Sequence, residues 1–391
     1  MPTPCTRPLC LGAKAVDLVA AIDINGKFLG GGLNGVHRTA AHYSSQLMKR
    51  MADEHAVRLL SPHHPADMAP EFAELRPTQV RGAWGQGQGW EMVTLPRHAR
   101  GNLLVNFCNL APLLHENSLV MIHDAQTFLH PEDYSGRQAV AYRRLLPWIG
   151  RRARRILTVS EFGRDTLTAF GIGPREKIDV VHNGTDHLLS VTPDRRVLER
   201  HALRQGGYVL VMGTAKRYKN LSRIFEALQQ GLPGDTRLVV AGGPAADAYL
   251  AKGWRPPPGT TFTGFVSDPE LRALYEGAAV FVFPSLTEGF GLPPIEAMHC
   301  GTPVVSARAG AMPEVCGDAA LLVDAESAGS FREAILAVLE GPALGQALSS
   351  RGHIRAGQLT WDHAGERLHA IISRILREDA PSERRGRPVS R

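Results

Sequence analysis

The chain has 391 residues, enough for two domains of ordinary size. Its 43% hydrophobic and 21% charged content describes a folded globular protein and excludes disordered and fibrous classes. A formal net charge of +6 favours anionic partners, and nucleic acid, a phospholipid surface and a phosphate-bearing small molecule all qualify.

The opening MPTPCTRPLCLGAKAV lacks the continuous apolar core of a signal peptide, and no later run reaches the roughly 18 apolar residues of a spanning helix, so a cytoplasmic location is expected. Ala15 to Ile24 reads as a first strand, followed by a turn at Asn25-Gly26 and a glycine loop from Gly30 to Gly35. Helical periodicity begins at Val36 and ends before a strand at Ala56 to Leu60. A glycine loop opening a helix suits a phosphate, but taken alone it reads as a flexible turn. It is no dinucleotide fingerprint, since no acidic residue stands where a ribose would be read.

Residues 62 to 100, rich in Pro, Gly and His, show little periodicity and resist placement. Leu103 to Phe107 and Leu119 to Ile122 read as buried strands, the second ending in His123-Asp124 at the carboxyl end where open α/β sheets gather ligands. By itself His123 reads as a packing residue. Gln138 to Arg155 forms a helix interrupted by Pro147, with Arg143, Arg144, Arg151, Arg152, Arg154 and Arg155 beside Leu145, Leu146, Trp148 and Ile149. Such a stretch lies on an anionic membrane or presents a solvated face, with equal warrant. Ser160 is placed to cap the following helix.

Thr192 to Gly207 is polar and charged and reads as an interdomain linker. A second series starts with a strand at Tyr208 to Met212, then a turn carrying Lys216, Arg217 and Lys219, then a helix from Leu221. Three cations at a strand-to-helix turn suit a diphosphate leaving group; a solvated turn is the alternative. Strands at Leu238 to Ala241, Thr261 to Val266 and Leu321 to Val323, and a helix at Phe331 to Leu339, continue the alternation. The end, PSERRGRPVSR, is expected to be disordered. Five cysteines without a C-x-x-C pair, and a His63-His64 pair without partners at ligand spacing, argue against disulfides and zinc. Aromatics are only 6% and do not interleave with basic residues, which argues against nucleic acid.

The most informative stretch is Val280 to Val305, VFVFPSLTEGFGLPPIEAMHCGTPVV. An apolar strand stops at Pro284, Gly289 and Gly291 punctuate a loop, and Pro293-Pro294 open a helix that stops at Gly301 before another strand. Glycines permit close approach of a ligand, and the free N–H groups at the helix start attract phosphate. Glu288 and Glu296 offer acceptors for sugar and ribose hydroxyls, although each taken alone reads rather as a solvated or dipole-complementing residue.

Together, the EGFGLPPIEAM context and the C-G-T-P-V-V run resemble the E-x7-E signature of the retaining nucleotide-sugar glycosyltransferases of family 4, with close similarity to mannosyltransferase-like members. Further matches are G-V-H-R at Gly35 to Arg38, I-H-D at Ile122 to Asp124, the T-V-S turn, N-G-T-D after Asp179, K-N-L at Lys219 to Leu221, and Thr360-Trp361-Asp362. The resemblance implies an α/β GT-B fold: two Rossmann-like doubly wound domains facing across a cleft. The expected division is an acceptor-side domain over 1–190, a donor-binding domain over 205–360, a helix over 361–378 crossing back, and a disordered tail over 379–391.

The resemblance also implies the chemistry. His123, Glu288 and Lys219 would be catalytic. Gly35, Lys216, Arg217, Lys219, Phe265, Gly289, Phe290, Gly291, Leu292 and Glu296 would hold the donor, and Gly32, Asn34, Arg38 and Asp124 would lie on the acceptor side. Lys216 and Lys219 match the family's basic pair best, with Arg217 competing for the first role. The implied reaction is transfer of a hexose, first mannose from GDP-mannose and alternatively from a UDP- or dTDP-sugar, to a glycan or lipid-linked saccharide of a bacterial surface polymer. The resemblance implies a metal-independent GT-B enzyme, so no metal or other cofactor is expected, and the absence of a D-x-D motif agrees with that. A peripheral membrane contact through the basic helix is a further expectation. A nucleotide-sugar epimerase of the same fold is the rival, but would be expected to lack the E-x7-E context.

Overall fold

Strands form where short runs of branched and aromatic residues can be buried on both faces, as parallel sheets require. Tyr208–Met212 (YVLVM) and Val280–Phe283 (VFVF) are such runs, with Val209, Leu210, Val280 and Phe281 wholly buried. Each side chain so buried contributes about 1.5–3 kcal/mol. The computed structural model describes residues 21–30, 34–64, 68 and 72–379. The start of the first expected strand at Ala15, the loop residue Gly32, and the tail beyond residue 379 lie outside the described residues.

The first sheet contains β1 (Ala21–Asn25), β2 (Ala56–Ser61), β3 (Thr78–Gln79), β4 (Leu103–Asn106), β5 (Ser118–Met121), β6 (Arg155–Thr158) and β7 (Ile178–Val180), in the order β3-β2-β1-β4-β5-β6-β7. The second contains β8 (Tyr208–Met212), β9 (Arg237–Ala241), β10 (Thr261–Gly264), β11 (Val280–Phe283), β12 (Val304–Ala307) and β13 (Ala320–Val323), in the order β10-β9-β8-β11-β12-β13. All pairings between these strands are parallel. Strand order reverses between β1 and β4, and again between β8 and β11. Those two switch points are where open α/β sheets leave a crevice for ligands.

The expectation for the basic helix needs correction. The basic helix spans Gly136–Arg152 and runs through Pro147 without interruption; the proline removes one ladder bond, to the carbonyl of exposed Arg143. It ends before Arg154 and Arg155, which are structural: Arg154 donates to the Ile375 carbonyl at 2.5 Å, and Arg155 opens β6 and pairs with Asp179 at 2.7 Å. Within the expected linker from Thr192 to Gly207, the Arg196–Arg200 helix buries Val197 and packs on the Asp268–Gly277 helix. The region that resisted placement holds the short β3 and a π-helical turn at Trp90–Thr94, which runs on into Leu95–His98.

The Trp361–Asp379 helix lies along the Gly35–Met51 helix of the first half. Trp361 stacks on His42 with centroids 4.4 Å apart, and Arg50 pairs with Asp362 at 2.5 Å. The two halves also meet across the cleft. Ser160, capping the Glu161–Ala169 helix through Gly163 N, donates to the Gly289 carbonyl at 2.5 Å. Gln126 Nε2 donates to the Thr287 carbonyl at 3.0 Å, and Arg38 pairs with Asp268 at 2.8 Å.

Candidate active site

Between the sheets lies a cavity of about 840 Å3, within the range of small-molecule sites. Its walls are the carboxyl-end loops of β4, β5, β8 and β11 together with the N-terminus of the Gly35–Met51 helix. Asn34 caps that helix, its side chain accepting from His37 N, and Gly35 has open space where a side chain would stand.

His123 and Asp124 follow β5. The His123 backbone N donates to Asn109 Oδ1 at 2.8 Å, and Asn109 holds a left-handed φ of 65°. His123 Nε2 stands 2.7 Å from the Phe107 carbonyl, which can only accept, so Nε2 carries the proton. Burial pushes this imidazole down to about 4, the Phe107 bond opposing, and His123 is neutral at physiological pH. Burial raises the Asp124 carboxyl, with Glu288 adding to the effect and the Gln126 backbone N–H and Lys219 opposing it.

On the facing wall, the turn after β8 places Lys216 and Lys219 in an aromatic cage. Lys216 Nζ lies 4.7 Å from the Tyr134 ring centroid and 5.6 Å from that of Tyr218. Lys219 Nζ lies 5.3 Å from Tyr218 and 5.8 Å from Phe283. Lys219 donates to Glu288 Oε1 at 2.6 Å, whereas no carboxylate pairs with the Lys216 ammonium among the described residues. The turn is itself held from the first half, where Asp133 accepts from the backbone N–H groups of Arg217 and Tyr218, each at 2.9 Å.

The loop after β11 explains its two glycines. A Cβ on Gly289 would meet the His123 carbonyl at 2.1 Å, so glycine is what lets the two halves touch there. Gly291 has a φ of 86° and would place a Cβ 2.3 Å from Met312 Cε. The loop leads into the Leu292–His299 helix with Pro in its first turn. Glu296, 6% exposed, accepts from Tyr275 Oη at 3.2 Å and lies 3.5 Å from His187 Nε2.

Most of the expected site residues therefore line one cavity: Asn34, Gly35 and Arg38 on one wall, His123 and Asp124 on another, Lys216 and Lys219 opposite. Glu288, Gly289, Phe290, Gly291, Leu292 and Glu296 complete it. Two do not line it. Arg217 is exposed and contributes only its backbone N–H, to Asp133, because the 3-10 turn at Arg217–Lys219 points alternate residues apart. Phe265 is 88% exposed and does not line the cavity. Gly32 lies outside the described residues. Sequence reasoning missed Tyr134, Tyr218 and Asn109; only Tyr218, between two of the singled-out cations, carried any signal.

Among the described residues no group of three or more His, Cys, Asp or Glu side chains is placed to hold a metal ion, and no helix is long and apolar enough to cross a membrane.

The model of the family described as Glycosyltransferase Family 4 matches residues 33–188, and that of Glycosyl transferases group 1 matches residues 206–341. The chain is 31% identical over 265 residues to O-antigen chain mannosyltransferase B of Escherichia coli, covering 63% of this chain and 68% of that protein. It is 32% identical over 247 residues to D-inositol 3-phosphate glycosyltransferase of Mycobacterium avium, covering 60% of this chain but only 57% of that protein, under two thirds of its length. Among solved structures, sucrose-phosphate synthase from Thermosynechococcus elongatus superposes with a TM-score of 0.70 at 18% identity, covering 92% of this chain and all (100%) of that one. WaaG, a glycosyltransferase involved in lipopolysaccharide biosynthesis, superposes at 0.64 with 17% identity, covering 90% and 99%. These two likenesses concern the fold.

Proposed function

The chain belongs to glycosyltransferase family 4 and has the GT-B fold, and from that premise we propose that it moves a hexose from a nucleotide sugar to a saccharide hydroxyl with retention at the anomeric carbon. The observation that carries the reading is the pair Lys216 and Lys219, facing the loop from Glu288 to Leu292 across one cavity. In that geometry the two ammonium groups, with amides at the start of the Leu292–His299 helix, neutralise the departing diphosphate. Glu288 holds Lys219 in place and accepts from sugar hydroxyls, and Glu296 accepts from the ribose. Neutral His123 stands beside the reacting carbon, and Asp124 orients the acceptor side. The acceptor proton passes to the leaving phosphate on the same face, so no carboxylate base is assigned.

The donor we favour is GDP-mannose, supported by likeness to relatives named O-antigen mannosyltransferases. Their names also support a saccharide of a surface polymer as acceptor. A lipid-linked acceptor accords with the Gly136–Arg152 helix, which carries Arg143, Arg144 and Arg151 exposed and no acidic residue. A thermal-shift screen against GDP-mannose, GDP, UDP-glucose, UDP and dTDP-sugars tests the reading, since a ligand of the native state raises the melting point. A rise with GDP and GDP-mannose alone is expected. A rise with only UDP or dTDP compounds moves the donor, and none with any removes the transferase chemistry from this cleft.

A further inference from the structure

The loop that carries His123 and Asp124 runs on, through the short Gln126–Leu129 helix, into a segment that crosses to the second half. Pro131 opens a 3-10 turn at Pro131–Asp133, and Tyr134 follows in an extended conformation. Three side chains of this segment hold the turn after β8. Asp133 Oδ1 accepts from Arg217 N and Oδ2 from Tyr218 N, each at 2.9 Å. The His130 ring stacks on Tyr218, with centroids 5.6 Å apart. The Tyr134 ring centroid lies 4.7 Å from Lys216 Nζ, nearer than that of Tyr218 at 5.6 Å.

The two lysines of that turn are held by different means. Lys219 is paired with Glu288 at 2.6 Å, so much of its charge is already compensated. Lys216 has rings around it instead. Burial pushes the Tyr134 phenol up to about 12 and the Tyr218 phenol higher, so both rings are neutral and attract the ammonium through their faces alone. A ring face fixes a cation without cancelling its charge, whereas a carboxylate does both. The acids that act on Tyr134 have other partners: Glu288 is committed to Lys219, and Asp124 accepts from Gln126 N at 3.0 Å. Asp133, the third, occupies the two backbone N–H groups at the start of the Arg217–Lys219 turn, where an anion would otherwise bind. A phosphate at this turn therefore meets side-chain ammonium groups, not main-chain amides, and Lys216 is the one with its charge uncompensated.

We propose that Asp133 and Tyr134, on the first half, are positioning residues for the donor diphosphate. Asp133 fixes the turn and Tyr134 seats the Lys216 ammonium, so the charge that meets the leaving group is set in place by the opposite domain. The proposal rests on the transferase reading above. It makes diphosphate affinity, but not nucleoside affinity, depend on the Tyr134 ring.

The test titrates the full chain by calorimetry with GDP and UDP, and with guanosine and uridine in competition. Tyr134→Leu removes the ring face and is expected to weaken the bound diphosphate about fivefold, the scale of a partly desolvated cation–π contact, with affinity for the nucleoside unchanged. Tyr134→Phe keeps the ring and is expected to stay within about twofold of the wild type. In a Lys216→Met background, Tyr134→Leu is expected to cost nothing further, because a residue acting through Lys216 has nothing left to position. Should Tyr134→Leu fail to fold, Asp133→Asn sets an amide donor against one of the two N–H groups. It is expected to weaken the diphosphate about fivefold and again to spare the nucleoside. Unchanged diphosphate affinity in the folded Tyr134→Leu or Asp133→Asn chain, or an equal loss for nucleoside and diphosphate, overturns the assignment while wild-type nucleotide binding persists. So does a loss in Tyr134→Phe equal to that in Tyr134→Leu, or a full further loss in the Lys216→Met background. Absence of nucleotide binding in the wild type overturns the transferase reading, and the positioning role with it.

Discussion

Lys219 Nζ lies 2.6 Å from Glu288 Oε1, joining the turn after β8 to the loop after β11 across the switch point of the second sheet. The pair is partly buried, at 27% and 13% side-chain exposure, so each charge holds the other in a defined place. Glu288→Gln is expected to keep the fold and lower kcat by about 10²–10³, the scale of losing one preorganised electrostatic group. Steady-state kinetics with thermal unfolding of the same variant checks this, and unchanged turnover would remove Glu288 from the site.

Lys216 is expected to act mainly through the donor phosphates. Lys216→Met should raise the Kd for the nucleoside diphosphate about tenfold or more, in line with loss of a charge-assisted contact, while leaving melting temperature nearly unchanged. The latter follows from its cation–π setting, worth about 0.5–1 kcal/mol at most exposed sites. Calorimetry against the diphosphate and the free nucleoside separates the charge effect from base recognition.

Two histidines, His123 buried and His42 half-buried, set an acid limit on stability. Burial holds His123 near 4, and burial, then His187 and Arg38, hold His42 near 3. The unfolded chain takes up these protons near the ordinary value of 6.5, so it binds more protons than the native state just below that pH. Stability is therefore complete above about pH 6.5 and falls as pH drops through about 4, by about 3 kcal/mol for His123 alone. Urea unfolding from pH 8 to 4 measures the slope, and a His123→Asn variant should flatten it.

Glu314 clasps the two halves. Its carboxylate accepts from Glu161 N at 2.9 Å, Phe162 N at 3.2 Å and His182 Nε2 at 2.7 Å. Burial opposes ionisation, but these bonds outweigh it and hold the carboxyl below its usual range. Glu314→Ala is expected to widen the cleft, raising the radius of gyration in solution scattering, and to cost about 1–3 kcal/mol from the N–H groups left without a partner. A closed, unchanged scattering profile would confine Glu314 to local capping.

If the two lysines carry the leaving-group charge, transfer should persist at full rate in excess EDTA. A loss of activity reversed by Mg²⁺ or Mn²⁺ would assign that charge to a metal instead.

The alternation of buried strands with helices follows from features legible in the chain: short, doubly buried apolar runs such as VFVF, separated by helical segments and glycine turns. So does the cluster from Glu288 to Glu296, because its residues are contiguous and its glycines and prolines dictate a loop opening a helix. Local sequence sufficed wherever one segment both builds an element and presents its own side chains.

It failed where a side chain's role depends on distant partners. Arg154 and Arg155 continue a basic run by eye, yet Ile375 and Asp179 draw them inward. Arg217 and Lys219 are equivalent by composition, and only the 3-10 turn and the Asp133 bonds separate them. Glu91 showed no signal at all, since the carboxylate acquires meaning only once β1, β4 and a π-helical turn bring Asn25, Lys27 and Asn106 around it. The sequence by itself determined most of the elements, their succession along the chain and the glycine loop, because periodicity and backbone permission are local properties. Only the tertiary structure decided which charges are buried, paired or left facing the cleft, because Coulomb energy and desolvation depend on neighbours that lie tens to hundreds of residues away.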